Sequence, residues 1–116
     1  MSTPVKLASA LPSGNANGLS AILAELTDDP TSLRVMIAVI DTKELKTITD
    51  TGEVVPVVRI RRVEALTGMD LRSGRTLFRR AFEKRTGRES LPIEMEEELD
   101  EAFGETGAQL TLETGR

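Results

Sequence analysis

Apolar positions recur along the chain in two rhythms, and the changes between them mark the expected elements. Residues 19–26, LSAILAEL, put Leu19, Ile22, Leu23 and Leu26 at the i, i+3, i+4, i+7 spacing of a short helix with one buried face. Asp28-Asp29-Pro30 ends it, because proline has no N–H to donate and biases the residue before it away from the helical region. Residues 33–41, LRVMIAVID, alternate instead. Leu33, Val35, Ile37 and Val39 share one face, while Arg34, Met36, Ala38 and Ile40 share the other, so a strand here is apolar on both sides. A polar continuation, TKELKTITD, leads to Asp50-Thr51-Gly52-Glu53, a hairpin turn in which Gly52 supplies a positive φ.

The returning run, VVPVVRIRRVEAL, is less regular. With Thr51-Gly52 as a two-residue loop, Leu45 falls opposite Val58 and Val39 opposite Glu64, and the second pairing is poor. Val54, Val58 and Ile60 share one parity and Val63 and Ala65 the other, so one extra residue at Arg61-Arg62 would restore the buried face. Pro56 cannot donate to a ladder and predicts an edge or a bulge at that point.

Thr67-Gly68 breaks the alternation, and Asp70 is the expected N-cap of a helix. Leu71, Leu77, Phe78, Ala81 and Phe82 fall within about 140° on a 3.6-residue wheel, with Arg72, Arg75 and Arg79 as a separate stripe. Gly74 costs such a helix about 1 kcal/mol relative to alanine and implies close packing against another backbone. Thr86-Gly87 stops it. A second helix begins near Leu91-Pro92, with Glu94, Glu96 and Glu97 near the positive end of its dipole. Met95, Leu99, Ala102 and Phe103 form its apolar face, and Gly104 ends it. The tail, residues 105–116, has room for a short strand at 109–112, with no strand there as the favoured reading. Residues 1–18, with Pro4, Pro12, Gly14 and Gly18, show no period and read as a flexible arm, or as one that orders by lying across a neighbouring subunit.

The expected architecture is α+β, a long twisted β-hairpin packed against two C-terminal helices with a short N-terminal helix, in a single domain over residues 19–116. Two strands alone are marginal in water, and both faces of residues 33–40 are apolar. A homo-oligomer, in which a second subunit completes the hairpin, is therefore expected.

Charge changes this picture. Residues 59–88 carry a balance of +7, residues 89–116 a balance of −8, and the first 58 residues −3, so the overall −4 hides a basic middle beside an acidic tail. Arg59, Arg61 and Arg62 from the strand and Arg72, Arg75 and Arg79 from the helix are the candidate binding surface. Such asymmetry points to nucleic acid, to an acidic protein partner, or to a basic segment neutralised by its own acidic neighbour. Pairing of Glu94, Glu98 and Glu101 with Arg72, Arg75 and Arg79 would mean that the phosphate site is already occupied.

Composition narrows the chemistry. Cysteine, histidine, tyrosine and tryptophan are absent, and the aromatics are Phe78, Phe82 and Phe103. No thiolate, no histidine base and no Ser-His pair is possible, and few groups exist on which single-stranded bases could stack. Asp41-Thr42-Lys43 and Glu44-Leu45-Lys46 match half of a metal-dependent nuclease pattern, and Glu94, Glu98 and Glu101 share a helix side. A charged hairpin arm and a solvated helix face explain both. No enzyme, metal or cofactor is expected. No apolar run approaches the roughly 20 residues of a membrane span and no signal-peptide pattern opens the chain, so a cytoplasmic location is expected.

Taken together, VVPVVRIRRVEAL followed by TLFRRAFEKRTGRESLPIEMEEELDEAF is similar to small, largely uncharacterised proteins encoded by phages of actinobacteria. The resemblance covers roughly residues 33–103. It implies a phage accessory setting in a host cytoplasm and brings no catalytic residues. The functional expectation is a non-enzymatic accessory protein that binds another protein as a homo-oligomer, with nucleic-acid binding as the alternative.

Overall fold

The computed structural model describes residues 4–88 and 91–104; the segment 109–112, considered above as a short strand, lies outside them. The chain folds as two compact units. Residues 4–21 join Met36–Glu64 in the first, and Ile22–Val35 join residues 65–88 and 91–104 in the second. The fold is α+β, with the hairpin, the short N-terminal helix and the two C-terminal helices in the expected order.

Strands β1 (Lys6–Leu7), β2 (Val35–Thr47) and β3 (Val54–Leu66) form one sheet in the order β1-β3-β2. The β2–β3 turn is longer than expected. Ile48 donates its N–H to the Glu53 carbonyl at 2.8 Å and Gly52 donates to the Ile48 carbonyl at 2.7 Å, which makes a four-residue loop over 49–52. Gly52 takes the expected positive φ, 75°.

Counted from the Ile48–Glu53 closing pair, Asp41 falls opposite Ile60. Its carboxylate is nevertheless held by Arg59 and Arg61, which alternate with Ile60 and so point to the other face. One extra residue has therefore entered between the turn and Asp41. The buried positions of β3 locate it, since Val55 and Val57 alternate but the next buried residue is Ile60. A second change of parity separates Ile60 from Val63, at Arg61-Arg62, where the sequence places its bulge. The face expected from Val54 and Val58 is not the buried one. VVPVV offers valine on both parities, so alternation alone cannot choose between them.

The N-terminal segment lies along β3. Lys6 and Leu7 pair in parallel with Val57 and Val58, Ala8 donates to the Val58 carbonyl at 2.8 Å, and Asn17 bridges to Val63. Pro56 sits one residue outside this pairing, so its missing N–H leaves no gap in the ladder. A Cβ on Gly18 would fall on the Glu64 carboxylate and 2.7 Å from the Val63 carbonyl oxygen, so the chain needs glycine to approach β3 here.

A 3-10 turn (Gly18–Ile22) runs into α1 (Leu23–Asp28), which belongs to the second unit and ends before Pro30 as expected. Of its predicted apolar face Ile22 is buried, whereas Leu23 and Leu26 are exposed. Helix α2 (Asp70–Thr86) has Met69, not Asp70, at its N-cap; Asp70 lies in the first turn, where its charge suits the dipole. Gly87 ends α2, and α3 (Ile93–Phe103) runs from an N-cap at Pro92 to Gly104. Leu91, Leu99 and Phe103 form the core of this unit, with Val35, Leu71, Phe82, Met95 and Ala102 packed against them. Gly74 makes the expected close approach, but to side chains instead of backbone. A Cβ there would lie 3.2 Å from the Phe103 ring and 2.8 Å from Leu66 Cδ1.

Candidate arginine surfaces and the exposed strand

The six candidate arginines divide between the two units. On the hairpin, Arg59 donates from Nε to Asp41 Oδ1 at 2.8 Å and from Nη2 to Oδ2 at 3.0 Å, a bidentate pair. Arg61 approaches the same carboxylate at 3.6 Å. The Arg59 hydrogen bonds, reinforced by the charges of Arg59 and Arg61, hold the Asp41 carboxyl below its ordinary pKa against a smaller opposing effect of desolvation. The pair correspondingly raises Arg59. Because the folded-state value is lowered, the contribution of Asp41 to stability is fully present above the ordinary carboxylate pKa and is lost as the pH falls through the lowered one. The Asp41-Thr42-Lys43 triplet thus has its acid engaged by two arginines.

These residues line an open groove of about 880 Å³. Leu11, Pro12, Val39 and Ile40 supply apolar wall, and Lys43, Arg59, Arg61 and Arg62 stand against the single carboxylate of Asp41. The groove is cationic and half apolar.

On α2 the sequence expectation is corrected in its orientation. Arg75 Nη2 lies 2.7 Å from Asp100 Oδ1 and 3.3 Å from Glu96 Oε1, and Arg79 Nη2 donates to both Glu96 oxygens at 2.7 and 2.9 Å. Arg75 and Arg79 are 25% and 35% exposed, whereas Leu77 and Phe78 are 56% and 49% exposed. The helix is turned by about 80° from the centre of its apolar stripe toward the arginines. Its seam with α3 runs through Leu71, Arg75, Arg79 and Phe82, and Leu77 and Ala81 are left outside. Phe78 keeps one edge contact, its ring centroid 6.0 Å from that of Phe103.

The acids that meet Arg75 and Arg79 are Glu96 and Asp100, whereas Glu94, Glu98 and Glu101 are exposed. One signal was available. Glu96 precedes Leu99 by three and Phe103 by seven, which puts it beside the apolar face, and Arg75 stands in the same relation to Phe78 and Phe82.

The strand carries the other departure. In the β1-β3-β2 order, β2 is an outer strand, and Met36, Ile37, Val39, Ile40 and Leu45 are all exposed, on both of its faces. Charge-based reading of the sequence does not single out these residues, although their alternation does. Among the described residues no group of three or more acidic side chains is placed to hold a metal ion, and no helix is long and apolar enough to cross a membrane. No family model matches the chain, and neither the curated proteins nor the solved structures yield a match.

Proposed function

We propose that the protein is a non-enzymatic binding protein that works as a homo-oligomer and docks through its hairpin, in the phage accessory setting that the sequence resemblance implies. One observation carries this reading: an outer strand thirteen residues long with exposed apolar side chains on both faces. Water-facing strand edges are ordinarily blunted by charge, proline or brevity, and β2 has none of these between Met36 and Ile40. Contiguous apolar surface of this kind marks an interaction site.

Sedimentation of the full chain tests it. The wild-type protein is expected to sediment as an oligomer at micromolar concentration, and an Ile37→Lys, Val39→Lys double variant as a monomer with unchanged circular dichroism. A wild-type protein that sediments as a monomer would reject the homo-oligomeric reading.

A second reading has its own observation, the excess of cationic over acidic groups in the hairpin groove. Nucleic acid bound there by six or more phosphate contacts would lose about a thousandfold or more in affinity between about 50 and 200 mM salt. Fluorescence anisotropy with labelled oligonucleotides measures this. Arg62→Glu should weaken the binding, and absence of binding at the lower salt would dismiss the reading.

A further inference from the structure

We propose that two copies of the chain pair antiparallel along β2 with the two-fold axis at Ala38, so that two three-stranded sheets become one. The inference deepens the homo-oligomeric reading above and rests on it. An outer strand presents a row of backbone N–H and C=O groups to any strand that can reach it. The charged residues that discourage such pairing, Asp41, Lys43, Glu44 and Lys46, all lie in the half of β2 nearer the turn. Residues 36–40 carry no charge and no proline.

The order of those five residues is self-complementary. Met-Ile-Ala-Val-Ile reads as large, large, small, large, large from either end. Directly opposed residues in an antiparallel pair point to the same face, so a two-fold axis perpendicular to the sheet must pass through a residue that meets its own copy. With Ala38 on the axis, Met36 faces the partner's Ile40 and Ile37 faces the partner's Val39. The first pairing lies on one face of the joined sheet and the second on the other, as cross-strand apolar pairs. The small side chain at the axis lets the strands meet without crowding.

Other centres break the match. With Val39 on the axis, Ile37 would face the partner's Asp41. With Ile37 on it, the large Met36 would face the partner's small Ala38 and Ile40 the partner's Arg34; the Ala38 register reaches its own charged pairing, Val35 with the partner's Asp41, at the same distance but keeps large residues opposite large ones up to it. Centring on Ile40 would set Ile37 against the partner's Lys43.

The exposed surface is of the size required. Met36, Ile37, Val39 and Ile40 are 46, 55, 62 and 54% exposed, which leaves on the order of 400 Å² of apolar side chain open on each copy. Cross-strand pairing covers the facing flanks of these side chains on both copies, and the ladder adds backbone area, toward the roughly 1,000 Å² that a specific interface needs.

The chain has no cysteine, so single-cysteine variants report the register directly. In the proposed dimer, Ala38→Cys places two thiols across the axis from each other. Thr42→Cys, on the same face, places them eight residues out of register, about 27 Å apart. Under mild oxidation of the full-length protein, A38C is expected to form a disulfide-linked dimer about a hundredfold or more faster than T42C, because pairing raises the local thiol concentration. Sedimentation of the reduced variants runs alongside as a check on assembly. If A38C and T42C are both dimeric but A38C crosslinks no faster than T42C, the Ala38 register is overturned while the homo-oligomeric reading stands. Monomeric wild-type protein overturns both.

Discussion

Replacing Phe103 by alanine is expected to cost about 3–5 kcal/mol of stability, the range for deleting a buried aromatic side chain, and to lower the urea midpoint by about 2 M. Phe103 is buried at the end of α3, meets Phe78 edge-on, and fills the space that Gly74 leaves open. Alanine would leave a cavity lined by the Phe78 ring, the Gly74 backbone and Leu66. A domain of this size has about 5–15 kcal/mol in total, so this one change would remove a large part of it. Phe103→Leu keeps most of the volume and should lose less than half as much. If F103A melts in urea within about 0.5 M of the wild type, the α2–α3 core is not what holds the second unit together.

Reversing Arg75 and Arg79 to glutamate should have the next largest effect, about 1–3 kcal/mol. Four carboxylates would then share the seam where two arginines now meet Glu96 and Asp100. The four side chains are 25–42% exposed, so the loss stays well short of that for a fully buried pair. The expected signature is a cost that shrinks in high salt. Adding Glu96→Arg and Asp100→Arg to the same chain should restore at least half of the lost stability. Failure of this swap would mean that the arginines act through their aliphatic stems and not through their charges. The geometry also bears on tests of nucleic-acid binding. A variant with Arg72, Arg75 and Arg79 all changed to glutamate would loosen α2 from α3, so its loss of binding could not be assigned to phosphate contacts. Arg62, on the hairpin groove, is the better site for that test.

What could be read from the sequence has a common character. The ends of α1, α2 and α3, the positive φ of Gly52, and the change from period 3.6 to period 2 and back all depend on residues within a turn or two of one another. Proline without an N–H, glycine without a Cβ, and alternation on a pleated strand act there wherever the segment sits in space. The irregularity at Arg61-Arg62 was legible for the same reason, because a strand with a buried face cannot change parity without an inserted residue.

The remainder needed partners distant in sequence. Lys6–Leu7 is too short to show any period, and it became a strand because Val57 and Val58 offered it a ladder. The hairpin loop is two residues longer than the Thr51-Gly52 signal suggested, since the closing pair is set by both strands together. The wheel of α2 was correct in its angles and wrong in its orientation. Glu96 and Asp100, 17 to 25 residues beyond the arginines they hold, turned the helix toward the charged stripe and left Leu77 in water. Local sequence therefore set the two long strands, the three helices, their order and most of their ends, because those follow from local backbone and side-chain chemistry. The tertiary structure alone decided which face of α2 is inner, which acids meet the arginines and that β2 stands at the edge, because each of these depends on segments that meet only when the chain has folded.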